Sequence, residues 1–309
     1  MCPSRRQVLA SAILAGPAAG AGQQTALPAW ERRLRESVAL FPATVSLFAK
    51  NLDTGASFGL GENERVRTAS TIKVAIMVGV FAAVAEGRAR WDEELTLRET
   101  DKVGGSGVVR ELSAGVRLPL RDLVHLMIVV SDNTATNMLL DRITGDAVNR
   151  EMDRLGLSET RVLRKVLGGG KDVKPVPSGW TEAGRKPENQ RFGIGVSTPR
   201  EMVLLLEKFE RGEAVSAEAC REMIEILKRQ QYRDGIGRRL AAMEVASKSG
   251  ALDRLRSDVG IVYAPGGRLV IAATCEDLPE VDYSPDNIGN RFISKLTGWL
   301  LEGLAAKQG

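Results

Sequence analysis

MEVASKSGALDRLRSDVGIVYAPGGRLVIAATCE, residues 243–276, decides how the rest of the chain is read. MEVASKSG, SDVGIVYAP and RLVIAATCE are three strand-like runs at hairpin spacing. Far upstream, TVSLFAKNL and ASFGL (residues 44–60) read as two more strands, joined by the turn Asp53-Thr54-Gly55. Between the two groups the apolar periodicity is helical. A helix opens at Ser70 and runs to about Glu86, and LPLRDLVHLMIVV, DNTATNMLLDRI and AVNREMDRLG come after it with short breaks. STPREMVLLLEKFERG carries a strong start signal, with Ser197 or Thr198 as N-cap and Pro199 as the first helical residue. SAEACREMIEILKRQ is a further helix. AWERRLRESVALF and NRFISKLTGWLLEGLAAK are amphipathic helices near the two ends. This order predicts an α/β (α+β) fold: a five-stranded antiparallel sheet drawn from both ends of the chain, terminal helices on one face, and an inserted all-helical lobe. A cleft between the lobes is the expected place for a small-molecule site.

Composition narrows the function. The chain has 309 residues, 43% hydrophobic and 27% charged, enough for one large domain or two packed lobes. Its formal net charge is +4, of which Arg5 and Arg6 supply two, leaving +2 beyond residue 21. A balance that small, without a long basic run, argues against a nucleic-acid partner. There is one histidine, His125, inside an apolar helical pattern. A zinc site built on several histidines is therefore excluded, no metal or organic cofactor is implied, and hydrolytic chemistry would need a base other than histidine. Cys220 and Cys275 lie in different elements and are expected to be buried or free rather than paired.

The first 21 residues contain Ser4-Arg5-Arg6-Gln7-Val8-Leu9, a short apolar run and Ala19-Gly20-Ala21. This is a twin-arginine-type signal peptide with an A-x-A-like cleavage site, so an exported, periplasmic or secreted protein is expected, without a stable membrane anchor. Residues 168–195 hold seven glycines and three prolines. A loop of that length inside a compact domain is usually functional or disordered.

Three short motifs carry the chemistry. In ASTIKVAIMVGVF (residues 69–81), Lys73 is the only charged side chain between Arg67 and Glu86. It stands one helical turn after Ser70, on the same face. A lysine held in apolar surroundings near another cation loses its proton readily and can take the proton of a serine. Ser131-Asp132-Asn133 interrupts an apolar helical run. It caps the next helix, or it supplies a hydroxyl (Ser131) that passes a proton to a leaving group and an amide (Asn133) for a substrate carbonyl. Lys248-Ser249-Gly250 closes the strand MEVASKSG. It is an edge strand entering a turn, or Lys248 binds a substrate carboxylate, while Gly250 lets a ligand approach the backbone. The N–H of Ala251 would then form an oxyanion hole with that of Ser70. Arg254 and Arg256 are either surface arginines or helpers of Lys248 at that carboxylate.

In this order, S-x-x-K, S-D-N and K-[ST]-G form the signature of class A β-lactamases and penicillin-binding proteins. From residue 30 to 305 the chain resembles the class A serine β-lactamase family, and its strand–helix–strand order agrees with that family's two-lobe fold. TRVLR (160–164) and STPREM (197–202) resemble the flanks of the family's omega loop. VGGSGVVREL (103–112) resembles its cleft rim, with Ser106 or Val108 near substrate. The resemblance implies an acyl-enzyme on Ser70, with Lys73 as base, Ser131 as proton carrier, and Asn133, Lys248, Ser249, Gly250, Ala251 and Arg256 binding substrate. The substrate is then a small β-lactam or a peptidoglycan-like molecule; the sequence carries no signal for oligomeric state, and a monomer is the default expectation. The chain departs from the family at the omega loop. The glutamate that positions the deacylating water is replaced by Val166, and the asparagine four residues on by Gly170. Of the acids in the divergent loop, Asp172, Glu182 and Glu188, the last is expected to replace it, with Asn189 beside it. Three readings are open: a β-lactam hydrolase with a relocated base, a penicillin-binding protein, peptidase or sensor that deacylates poorly, or an esterase on the same fold.

Overall fold

The computed structural model describes residues 27–167 and 180–306. The expected signal peptide, Gly170, Asp172 and the first half of the glycine-rich loop lie outside the described residues. In chain order the elements are α1 (Ala29–Ala39), β1 (Thr44–Asn51), β2 (Ser57–Leu60), β3 (Val66–Arg67), α2 (Lys73–Ala85), β4 (Glu94–Thr96), β5 (Arg117–Pro119), α3 (Leu120–Val129), α4 (Asn133–Ile143), α5 (Gly145–Arg154), β6 (Arg161–Val162), α6 (Glu182–Arg185), β7 (Gly195–Ser197), α7 (Pro199–Arg211), α8 (Ala217–Lys228), β8 (Glu244–Leu252), β9 (Leu255–Ala264), β10 (Gly267–Glu276) and α9 (Ile288–Leu304).

Strands from both ends form one antiparallel sheet in the order β2-β1-β10-β9-β8, as the strand spacing predicted. Because side chains alternate across a strand, each inner strand feeds two cores. One face sends Leu47, Val245, Val262, Ile271 and Cys275 against Leu34 of α1 and Ile293, Leu296 and Leu300 of α9. The other sends Phe48, Ala246, Val259, Ile261 and Val270 against the helical lobe. Each such fully buried Val, Leu or Ile contributes about 1.5–3 kcal/mol. Cys220 and Cys275 fall in opposite cores, so the two thiols are free and buried.

At the centre of the lobe, α2 is buried from Lys73 to Ala83. That burial explains a sequence apolar on every side, with no solvated stripe. Ser70 is not the first residue of α2. It lies in a 3-10 turn, Ala69–Ile72, and the α-helix begins at Lys73. Thr198, not Ser197, caps α7, its hydroxyl accepting from Glu201 N at 3.1 Å, while Ser197 ends β7. The second half of the expected loop is not structureless: it holds α6 and a 3-10 turn, Pro187–Phe192. β8 also runs past Gly250 to Leu252 before turning.

Candidate active site

The position of Ser70 is set by a contact between β8 and the 3-10 turn. Ala69 has φ 47°. That left-handed conformation costs an L-residue roughly 1–2 kcal/mol, so the surrounding packing must hold it. A Cβ on Gly250 would lie 2.8 Å from Thr68 O and 3.1 Å from Ser70 N. Only glycine lets β8 come this close to the Ser70 backbone. Ala251 then stands exposed at the cleft, one residue beyond that contact.

Lys73 is fully buried as the first residue of α2. Its Nζ donates to Ser131 O at 2.7 Å, Ser131 Oγ at 3.2 Å and Asn133 Oδ1 at 2.9 Å. Three acceptors match the three protons of an ammonium. Lys248, equally buried, donates to Ser131 Oγ at 3.0 Å and to Ser249 O at 2.7 Å. Ser131 Oγ thus sits between the two amines. Burial pushes the Lys73 ammonium well below its ordinary value and the charge of Lys248 adds to this, against an opposing effect of Asp132. Burial brings Lys248 down to about 7, opposed by Asp258. Asp258 is itself pushed up to about 7 by burial, and its Oδ2 accepts from Ile236 N at 2.8 Å.

Ser131-Asp132-Asn133 both caps a helix and builds the cleft. Asp132 Oδ1 accepts from Ala135 N at 2.8 Å, the N-cap bond of α4. Its Oδ2 accepts from Val108 N at 2.6 Å and Val109 N at 2.8 Å, which ties the rim loop to the helix start. A Cβ on Gly107, at φ 108°, would lie 2.2 Å from that oxygen, so a glycine is required there. Asn133 Nδ2 donates to Gly104 O at 3.0 Å. Ser131 stands at φ 54°, strained like Ala69, and the strain aims its hydroxyl at both lysines.

These groups open on a cavity of about 550 Å³ lined by Ser70, Ser106, Ser131, Asn133, Val166, Tyr283 and their neighbours. Ser106 lines it and Val108 does not. Val166 is held by a two-sided clamp from Asn137: its N donates to Asn137 Oδ1 at 2.8 Å, and its O accepts from Asn137 Nδ2 at 2.9 Å. The backbone is therefore fixed at the position where the resemblance expects a glutamate, and the side chain there is apolar.

Two of the expected site residues, Glu188 and Arg256, lie outside the cavity lining. Glu188 is exposed on the 3-10 turn and absent from the cavity lining; its neighbour Asn189 is turned inward, donating to Ala183 O at 2.9 Å. A base acting from Glu188 has no support in this arrangement. Arg256 is buried, and its guanidinium is spent on the carbonyls of Leu252 at 2.7 Å, Leu255 at 2.5 Å and Asp282. It secures the β8–β9 turn and the segment before α9, and is not placed beside Lys248 for a carboxylate. Arg254 donates to Leu278 O. His125 is half-buried on α3, where burial, then Arg229 and Arg121, lower its proton affinity. It takes no part in the cavity lining. Asn137 and Tyr283 were missed. Asn137 lies four residues after Asn133 and so shares its helix face, a signal available in principle; no sequence pattern pointed to Tyr283.

The model of the Beta-lactamase enzyme family matches residues 29–302. A beta-lactamase of Bacillus licheniformis is 26% identical over 271 residues, covering 85% of this chain and 80% of that protein. The crystal structure of a beta-lactamase from Sphaerobacter thermophilus superposes with a TM-score of 0.76 at 31% identity, covering 91% of this chain and 98% of the other. A variant of PBP-A, solved as an acyl-enzyme complex with penicillin G, superposes with a TM-score of 0.74 at 26% identity, covering 88% and 95%. With the two-lobe fold and its cleft, these matches place the chain in the beta-lactamase enzyme family.

Proposed function

We propose that this protein opens β-lactam rings through an acyl-enzyme on Ser70. The observation that carries the reading is the buried Lys73, in helical reach of Ser70 and bonded to Ser131, with its charged form disfavoured by burial and by Lys248. A neutral amine keeps two of the three donors and frees a lone pair for the Ser70 proton. Ser70 Oγ then attacks the lactam carbonyl, and the N–H groups of Ser70 and Ala251 receive the oxyanion. As the ring C–N bond breaks, Ser131 Oγ passes its proton to the leaving nitrogen and is reprotonated from Lys73. Lys248, cationic below about 7, holds the substrate carboxylate. Ser249, half-buried along the cleft beside it, is the companion hydroxyl for that carboxylate.

A second reading concerns the fate of the acyl-enzyme, and Val166 favours it. The cleft offers Val166 and Ile194 where a water would have to be activated. The one carboxylate among the described lining residues is Asp253, whose Oδ1 is bonded to Tyr283 at 2.7 Å. Deacylation is then slow, and the chain behaves as a penicillin-binding relative. The PBP-A variant, solved as an acyl-enzyme complex with penicillin G, supports acylation on this fold.

Intact-protein mass spectrometry over time, with a few equivalents of benzylpenicillin, tests both. A one-drug adduct that is absent in Ser70→Ala supports the acyl-enzyme, and labelling that survives this substitution refutes it. An adduct persisting long after free drug is removed supports slow deacylation. Rapid decay with hydrolysed drug accumulating shows full turnover and sinks the second reading.

A further inference from the structure

One wall of the cleft carries a side chain that no catalytic step uses. Tyr283, in the segment between β10 and α9, is 62% exposed, and Val281, two residues before it, is 61% exposed. Both line the cavity that contains Ser70. Large apolar side chains so exposed, side by side in a concave site, have no packing role of their own.

Tyr283 is nonetheless held on two sides. The Arg256 guanidinium lies over its ring, 4.9 Å from the centroid. That guanidinium is fixed by the carbonyls of Leu252, Leu255 and Asp282. In addition, the Tyr283 hydroxyl donates to Asp253 Oδ1 at 2.7 Å, which ties the segment before α9 to the β8–β9 turn. Burial, then Asp253, push the phenol up to about 12, so it remains a donor at neutral pH. A surface tyrosine normally loses rotamer freedom when a ligand packs on it. Here that freedom is already lost, so a ligand group seated on the ring is bound at a lower entropic cost. The acid and the arginine are both occupied, which leaves the ring and Val281 as the features this wall presents.

We propose that Tyr283, with Val281 and the half-buried Leu252, forms a subsite for an apolar, ring-bearing side chain on the acyl donor. The inference rests on the acyl-enzyme reading above and adds which acyl donors are preferred. Aromatic pairs attract beyond the area they bury, and the ring of a bound side chain gains both contributions.

The test compares acylation of Ser70 by benzylpenicillin, which carries a phenyl group, with acylation by 6-aminopenicillanic acid, which carries no side chain. Second-order rates are read by intact mass for the unaltered protein, Tyr283→Ala and Tyr283→Phe. The ratio of the two rates is expected to fall about ten-fold in Tyr283→Ala, the scale of one lost aromatic contact and its buried area. Tyr283→Phe, which keeps the ring and loses only the bond to Asp253, is expected to stay within two-fold of the unaltered ratio. A ratio unmoved by the alanine, or lowered as far by the phenylalanine, overturns the subsite. Failure of both compounds to label the unaltered protein overturns the acyl-enzyme reading and the subsite with it. Labelling by both, at a ratio indifferent to Tyr283, overturns the subsite alone.

Discussion

Replacing Val166 by glutamate isolates the step at which this chain departs from its family. The backbone is already prepared: Asn137 holds Val166 N at 2.8 Å and O at 2.9 Å. A new side chain at 166 therefore enters the cleft from a fixed base. Val166 is half-buried against the helical lobe, so its loss costs about 1 kcal/mol of apolar burial. A positioned general base contributes roughly 10²–10⁴ in rate, equivalent to about 2.7–5.5 kcal/mol of barrier. The acylation rate should change little, because Ser70, Lys73 and Ser131 keep their contacts. The deacylation rate, read as decay of the benzylpenicillin adduct after free drug is removed, should rise at least about 100-fold over the unaltered protein. Val166→Gln, with the same reach and no base, should not show the rise. A Val166→Glu protein that acylates normally yet loses its adduct no faster than the unaltered protein would refute the argument that Val166 occupies the place of the base.

The remaining predictions concern charge and the cleft walls. Acylation by a carboxylate-bearing β-lactam should weaken as pH rises through about 7, where free Lys248 loses its proton, while a substrate lacking the carboxylate should not show that falling limb. The same lysine titrates near 10.5 when unfolded, so between about 7 and 10.5 the unfolded chain binds more protons, and the contribution of Lys248 to stability should grow with pH across that window; its absence from the difference in denaturant midpoints between the unaltered protein and Lys248→Met would contradict the assignment. Glu188→Gln should leave adduct decay unchanged within two-fold, because that carboxylate is exposed and outside the cavity lining. Arg256→Leu strands carbonyls of Leu252, Leu255 and Asp282 that now receive charged donors, and should cost about 3 kcal/mol, measured by urea unfolding. A loss below about 0.5 kcal/mol would show that the guanidinium bonds do not hold this wall together.

The fold was readable because its signals are local. The strand-like runs MEVASKSG and SDVGIVYAP at hairpin spacing, the cap of α7 and the all-round apolar character of α2 each arise from neighbouring residues. The candidate residues Ser70, Lys73, Ser131 and Lys248 stood out in the sequence because each belongs to a short motif of fixed local spacing. What spacing did not show is where long side chains end. Arg256 and Glu188 were reasonable candidates by type and position, yet one is consumed by backbone carbonyls and the other faces solvent.

By itself, then, the sequence determined the elements, their order and the candidate reactive groups, because periodicity, capping and motif spacing are properties of short stretches. Tertiary structure alone decided that Ser131 bridges two buried lysines, that Gly250 brings β8 onto the Ser70 backbone, and that Asn137 clamps the Val166 backbone at the cleft. The physical reason is range. Lys73 and Lys248 stand 175 positions apart in the chain, and the loss of their ordinary proton affinity comes from a shared low-dielectric interior. That interior exists only once the sheet and the helical lobe have closed on each other.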